Sequence, residues 1–113
     1  MPLDLVSVRI PRTSFSSGTR FAAYVDFRDR EDGAQTPDTV HFAIVCLTSG
    51  KILREGEVTP AQAVVIPILA ADNAIQTLHR EYERRQLTVI ANRGESQALG
   101  SVTWTVNNIE RTA

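Results

Sequence analysis

Apolar residues recur at every second position along most of this chain, and no other feature constrains its fold as tightly. An extended strand points successive side chains to opposite faces, whereas a helix repeats every 3.6 residues. Arg20 to Arg28 shows the two-residue period clearly: Phe21, Ala23, Val25 and Phe27 share one face, Ala22, Tyr24, Asp26 and Arg28 the other. Gly100 to Asn107 alternates strictly, with Val102, Trp104 and Val106 set against Ser101, Thr103 and Thr105. Both read as half-buried antiparallel strands.

The remaining segments follow the same rule. Leu3 to Ile10 is partly alternating and is interrupted by Pro11, so residues 1–14 are either a first strand or an N-terminal arm that orders on a neighbour. In Thr39 to Thr48, Val40, Phe42, Ile44 and Cys46 share a face, and Ala43, Val45 and Leu47 make the other face partly apolar as well. Thr48-Ser49-Gly50-Lys51 leads into Ile52 to Val58, which predicts a hairpin. Ala63 to Leu69 carries Val64, Ile66 and Ile68 in phase. Pro67 falls on the opposite phase and lacks a ladder donor, which predicts an edge strand or a bulge. Arg84 to Asn92 is a further strand with Leu87, Val89 and Ala91 inward. Only Ala74 to Glu83 has helical spacing, through Ile75, Leu78 and Tyr82, and a helical turn or two at most is expected there.

About seven short strands without a long helix predict an all-β fold, an immunoglobulin-like antiparallel β-sandwich; a small closed barrel is the alternative. The chain has 113 residues, a length that one core serves, and no repeat or linker divides it. The predicted core is Phe21, Val25, Phe27, Val40, Phe42, Ile44, Val64, Ile66, Leu87, Val89 and Trp104, with Phe21, Phe42 and Trp104 as its large anchors.

Composition narrows function by exclusion. A net charge of −1 from 12 basic and 13 acidic residues argues against nucleic-acid binding by bulk charge. The longest mainly apolar run, Ala61 to Ala71, is too short to span a bilayer, and the first residues show no signal-peptide pattern. A single cysteine, Cys46, allows no internal disulfide, and its inward phase marks it as a small core residue. These features fit folding in a reducing cytoplasm.

Candidate chemistry is sparse. His41 and His79 belong to no cluster of metal-ligating residues, and His41 is expected on the outer face of its strand. Glu55/Glu57 and Glu81/Glu83 are spaced like paired carboxylates, but both pairs are interleaved with arginine and read as solvated surface charge. Asp29-Arg30-Glu31-Asp32-Gly33 is too irregular for a calcium loop. No nucleophile elbow, phosphate loop or catalytic triad is visible, so no enzyme activity, cofactor or metal is expected. Arg80, Tyr82, Arg84 and Arg85 form the candidate contact patch. With glutamates between them, they suit charge-paired protein contact better than a phosphate backbone. Tyr24, Tyr82 and Phe15 are the candidate exposed aromatics of an alternative surface- or carbohydrate-binding module.

From about Thr13 to Ile109 the order of pieces resembles a known family. It runs Thr19-Arg20-Phe21 to Phe27-Arg28-Asp29, then Thr36-Pro37-Asp38-Thr39-Val40-His41-Phe42-Ala43-Ile44 and Thr48-Ser49-Gly50. Thr59-Pro60, Val64-Val65-Ile66-Pro67-Ile68 and Asn73-Ala74-Ile75 follow, then Glu83-Arg84-Arg85-Gln86-Leu87-Thr88-Val89-Ile90-Ala91-Asn92 and Val102-Thr103-Trp104-Thr105-Val106-Asn107-Asn108-Ile109. This resembles the small immunoglobulin-like structural proteins of tailed bacteriophages. The resemblance implies a virion protein without catalytic residues, either a capsid decoration protein or an accessory at the head–tail connector. Its implied partners are other virion proteins in multiple copies, with neither nucleic acid nor membrane among them.

Overall fold

A computed structural model describes residues 3–77 and 80–109. The strands are β1 (Leu5–Arg9), β2 (Ser14–Ser16), β3 (Phe21–Arg28), β4 (Thr39–Cys46), β5 (Lys51–Val58), β6 (Ala63–Ile68), β7 (Tyr82–Arg93) and β8 (Ser96–Asn107). They form a three-stranded sheet ordered β1-β3-β6 and a five-stranded sheet ordered β2-β8-β7-β4-β5. All pairings are antiparallel except the short parallel pairing of β2 with β8. This is an immunoglobulin-like β-sandwich whose N-terminal segment is split between the sheets: β1 pairs with β3, then the chain crosses at Pro11 to pair as β2 with the other sheet. Residues 5–9 are therefore a first strand of their own sandwich.

Local chemistry accounts for the framework. In β3 the odd-numbered Ala23, Val25 and Phe27 are buried, and Val25 lies opposite Val8 and Val64. β4 and β5 form the expected hairpin, with a register shift between Ile44 and Val45. β6 is an edge strand, the first of the two outcomes that Pro67 allows. Long β7 and β8 are joined through Gly94–Glu95 alone, and Gly94 has a φ of 57°, the left-handed conformation such a tight turn demands.

Ten of the eleven predicted core residues are buried; Phe21 is half-buried and packs against the cluster. Phe21 stacks on Phe15 with ring centroids 4.0 Å apart and meets Trp104 edge-on at 5.3 Å. Trp104 Nε1 donates to Asn73 Oδ1 at 2.8 Å, so its polar edge is satisfied inside the core. Burying each such large apolar side chain contributes about 1.5–3 kcal/mol.

The two open sides of the sandwich are sealed differently. On one side β1 crosses β8 so closely that a Cβ on Gly100 would meet the Val6 carbonyl and lie 2.9 Å from Val6 Cγ1. On the other, Arg54 of β5 reaches Asp72 at 2.8 Å and donates to Pro67 O on β6 at 2.7 Å. The carboxylate of Asp72 also takes the Leu69 N–H.

One helical turn is present among the described residues, but it is a 3-10 helix at Ala70–Asn73, ahead of the 74–83 stretch. Ala74 O, which would open the hydrogen-bond ladder of a helix over 74–83, accepts from Arg85 instead, and β7 already begins at Tyr82, inside that stretch. Leu78 and His79 lie outside the described residues.

Candidate functional site

The alternation of β7 divides the predicted contact patch between two faces. Counting back from inward Leu87, the phase turns Arg85 and Glu83 into the sandwich and leaves Arg84 and Tyr82 outside. Arg85 and Glu83 are both fully buried. The guanidinium donates to Glu83 Oε1 at 3.0 Å, Asp72 O at 2.9 Å, Ala74 O at 2.7 Å and Cys46 Sγ at 3.2 Å. Glu83 also accepts the Gln76 and Thr77 N–H groups, each at 2.8 Å. Burial by itself would push the Glu83 carboxyl up. The Gln76 N–H, Arg85 and the Thr77 N–H together outweigh it and hold the group below the usual carboxylate range.

Arg85 is therefore withdrawn from the contact patch, and Glu83 from the solvated surface. Both belong to an internal clamp that fixes the β6–β7 crossover to the five-stranded sheet. Every buried side-chain nitrogen and oxygen among the described residues has a hydrogen-bond partner, which is what a low-dielectric interior requires of such a clamp. The signal was in the sequence: Glu83 and Arg85 have the same parity as Leu87, Val89 and Ala91. Strand phase outranked charge. Cys46 is in the core, as predicted, and its sulfur accepts from the Arg85 guanidinium.

The other patch residues remain outside. Arg80 is exposed in the crossover, its carbonyl accepting from Asn108 Nδ2 at 3.0 Å. Tyr82 is 54% exposed. Arg84 is exposed on the outer face of the five-stranded sheet, its N–H donating to Thr48 Oγ1 at 2.9 Å. Leu47, also exposed, lies beside it, since its N–H donates to Arg84 O. Tyr82, Arg84 and Leu47 thus form one aromatic, cationic and aliphatic corner.

Farther along the same face, His41, Ala43, Thr88 and Ile90 floor a shallow groove of about 350 Å³, with Glu55 and Glu57 along its β5 rim. His41 sits on the outer face as expected, its Nδ1 3.6 Å from Glu57; His79 is outside the described residues.

Two more predicted positions resolve through the fold. Phe15 is buried, not exposed, because β2 turns it inward beside Val106. Tyr24 is half-exposed on the outer face of the three-stranded sheet, away from Tyr82, so the exposed tyrosines do not form a single stacking platform. In the acidic loop, Asp29 accepts from the N–H groups of Glu31 and Gly33 and from Gln35 Nε2. The Gly33 N–H leads in holding that carboxyl below its ordinary value, against the effect of burial. Asp29 is thereby committed to shaping its own loop. Among the described residues no group of three or more His, Cys, Asp or Glu is placed to hold a metal ion.

The fold and this surface define a class: an immunoglobulin-like sandwich with an open five-stranded face and a mixed aromatic–arginine corner. No protein-family model matches the sequence, and no curated protein is significantly similar to it.

Proposed function

We propose that this protein is a non-enzymatic structural component of a tailed-phage virion. In this reading it binds other virion proteins on the capsid surface as a decoration protein or at the head–tail connector. The observation that carries the binding role is the corner of Tyr82, Arg84 and Leu47, where an aromatic, a cationic and an aliphatic side chain are exposed together on the open face of the five-stranded sheet. Aromatic residues and arginine are the types that protein interfaces concentrate. Repetition on a lattice lets each such contact be modest, because avidity multiplies it. The phage assignment itself rests on the sequence resemblance. A carbohydrate-binding module is the weaker reading, since Tyr24 and Tyr82 are on opposite sheets and Phe15 is internal.

The test is incorporation into particles. Arg80→Glu with Arg84→Glu should leave the isolated domain folded while reducing its copy number on purified virions. Wild-type incorporation by that variant would remove the corner from the contact, and absence of the protein from virions would end the proposal.

A further inference from the structure

The near-zero net charge hides a segregation along the molecule. The protein measures 55 × 23 × 20 Å. The twelve-residue strands β7 and β8, about 40 Å long at ~3.3 Å per residue, fit only along the long axis. Register then assigns every loop to one end or the other.

Asn92 pairs with Thr39 and with Gln97, and Arg28 with Leu5, so the β3–β4 loop, the β7–β8 turn and the start of β1 share one end. That end exposes Asp4, Glu31, Asp32, Asp38 and Glu95. Of its three arginines, Arg28 is paired with Asp26 and Asp32, Arg93 donates to Thr36 O, and Arg30 is exposed. Among the described residues, the opposite half carries exposed Arg12, Arg20, Lys51, Arg80 and Arg84 and the exposed carboxylate of Glu81, while Asp72 and Glu83 are buried against Arg54 and Arg85. Strand topology alone produces this sorting, since the residues come from segments scattered across the chain.

We infer that the cationic end of one molecule docks on the acidic end of the next, giving polar head-to-tail association of copies of this chain. The inference rests on reading the Tyr82–Arg84 corner as a protein contact and names its partner as a second copy. Opposite charge at opposite ends favours a heterologous contact, because an isologous pairing of either end would bring like charges together. The 23 × 20 Å cross-section limits the contact to roughly 900 Å² counting both partners, below the ~1,200 Å² of a stable stand-alone pair. Association is therefore weak, steeply salt-dependent, and suited to copies already held on a lattice.

Sedimentation equilibrium on the purified chain tests this. At about 10 mM salt, where the Debye length is ~30 Å, the average mass should climb above 12.5 kDa with concentration, and about 0.5 M salt should return it to the monomer. Arg80→Glu/Arg84→Glu and, separately, Glu31→Lys/Glu95→Lys should each abolish the rise. An equimolar mixture of the two variants should restore it, because each then presents an end complementary to the other. A wild-type chain monomeric at low salt, or variants that fail to complement, would overturn the inference. If reversal at the cationic end blocks incorporation into virions while Glu31→Lys/Glu95→Lys particles are normal, that end binds a different virion protein. The contact reading would then survive and the self-association would not.

Discussion

Arg85→Met isolates the internal clamp, because methionine preserves much of the aliphatic stem while removing every donor. The substitution leaves Glu83 buried without its cation and deprives the Asp72 and Ala74 carbonyls of their guanidinium partners. Breaking a buried pair from one side costs about 3–5 kcal/mol, against a total stability of about 5–15 kcal/mol for a domain of this kind. With a urea dependence of ~2 kcal/mol per molar, the unfolding midpoint should fall by about 2 M, and the melting temperature by roughly 10–20 °C. Arg84→Met, one residue away and exposed, is the matched control and should stay within about 0.5 kcal/mol of wild type. Equilibrium urea unfolding followed by Trp104 fluorescence suits the measurement, since Trp104 lies opposite Arg85 in the β7–β8 register and bonds the crossover through Asn73. Equal stability of the two variants would refute the buried-clamp reasoning.

Gly100→Ala should destabilise by about 1–3 kcal/mol, because the new methyl meets the Val6 backbone rather than a flexible side-chain tip; thermal unfolding would register it. Stability should also decline in acid. Glu83 and Asp29 have folded-state values below their unfolded ones, so the stability they contribute is fully present above the unfolded carboxylate pKa of ~4 and is lost as pH falls through the depressed folded values. Urea midpoints measured from pH 7 down to pH 3 should fall mainly below about pH 5, and a midpoint that rose across that range would contradict the assigned hydrogen bonds.

Strand phase made much of the architecture legible in advance. Alternation alone placed Phe27, Ile44, Leu87 and Trp104 inside, Pro67 marked an edge, and Thr48–Lys51 marked a hairpin, because side-chain direction in an extended chain is set locally and burial selects one face. The contact patch was only half legible. Charge suggested that Arg80, Tyr82, Arg84 and Arg85 act together, but a strand cannot present adjacent residues to one face, and Arg85 follows Leu87 inward.

Tertiary structure alone decided what required distant partners. A buried Arg85 is tolerable only because Glu83, Cys46 and two crossover carbonyls converge on it from separate elements. Phe15 is internal because its segment pairs with β8 across some ninety residues of chain. The exposed charges are sorted to opposite ends by strand direction, which sequence order does not reveal. Local chemistry determined which stretches are extended and which face of most of them is apolar. The fold determined which polar groups could be buried, since desolvating them is affordable only where the whole set of partners assembles.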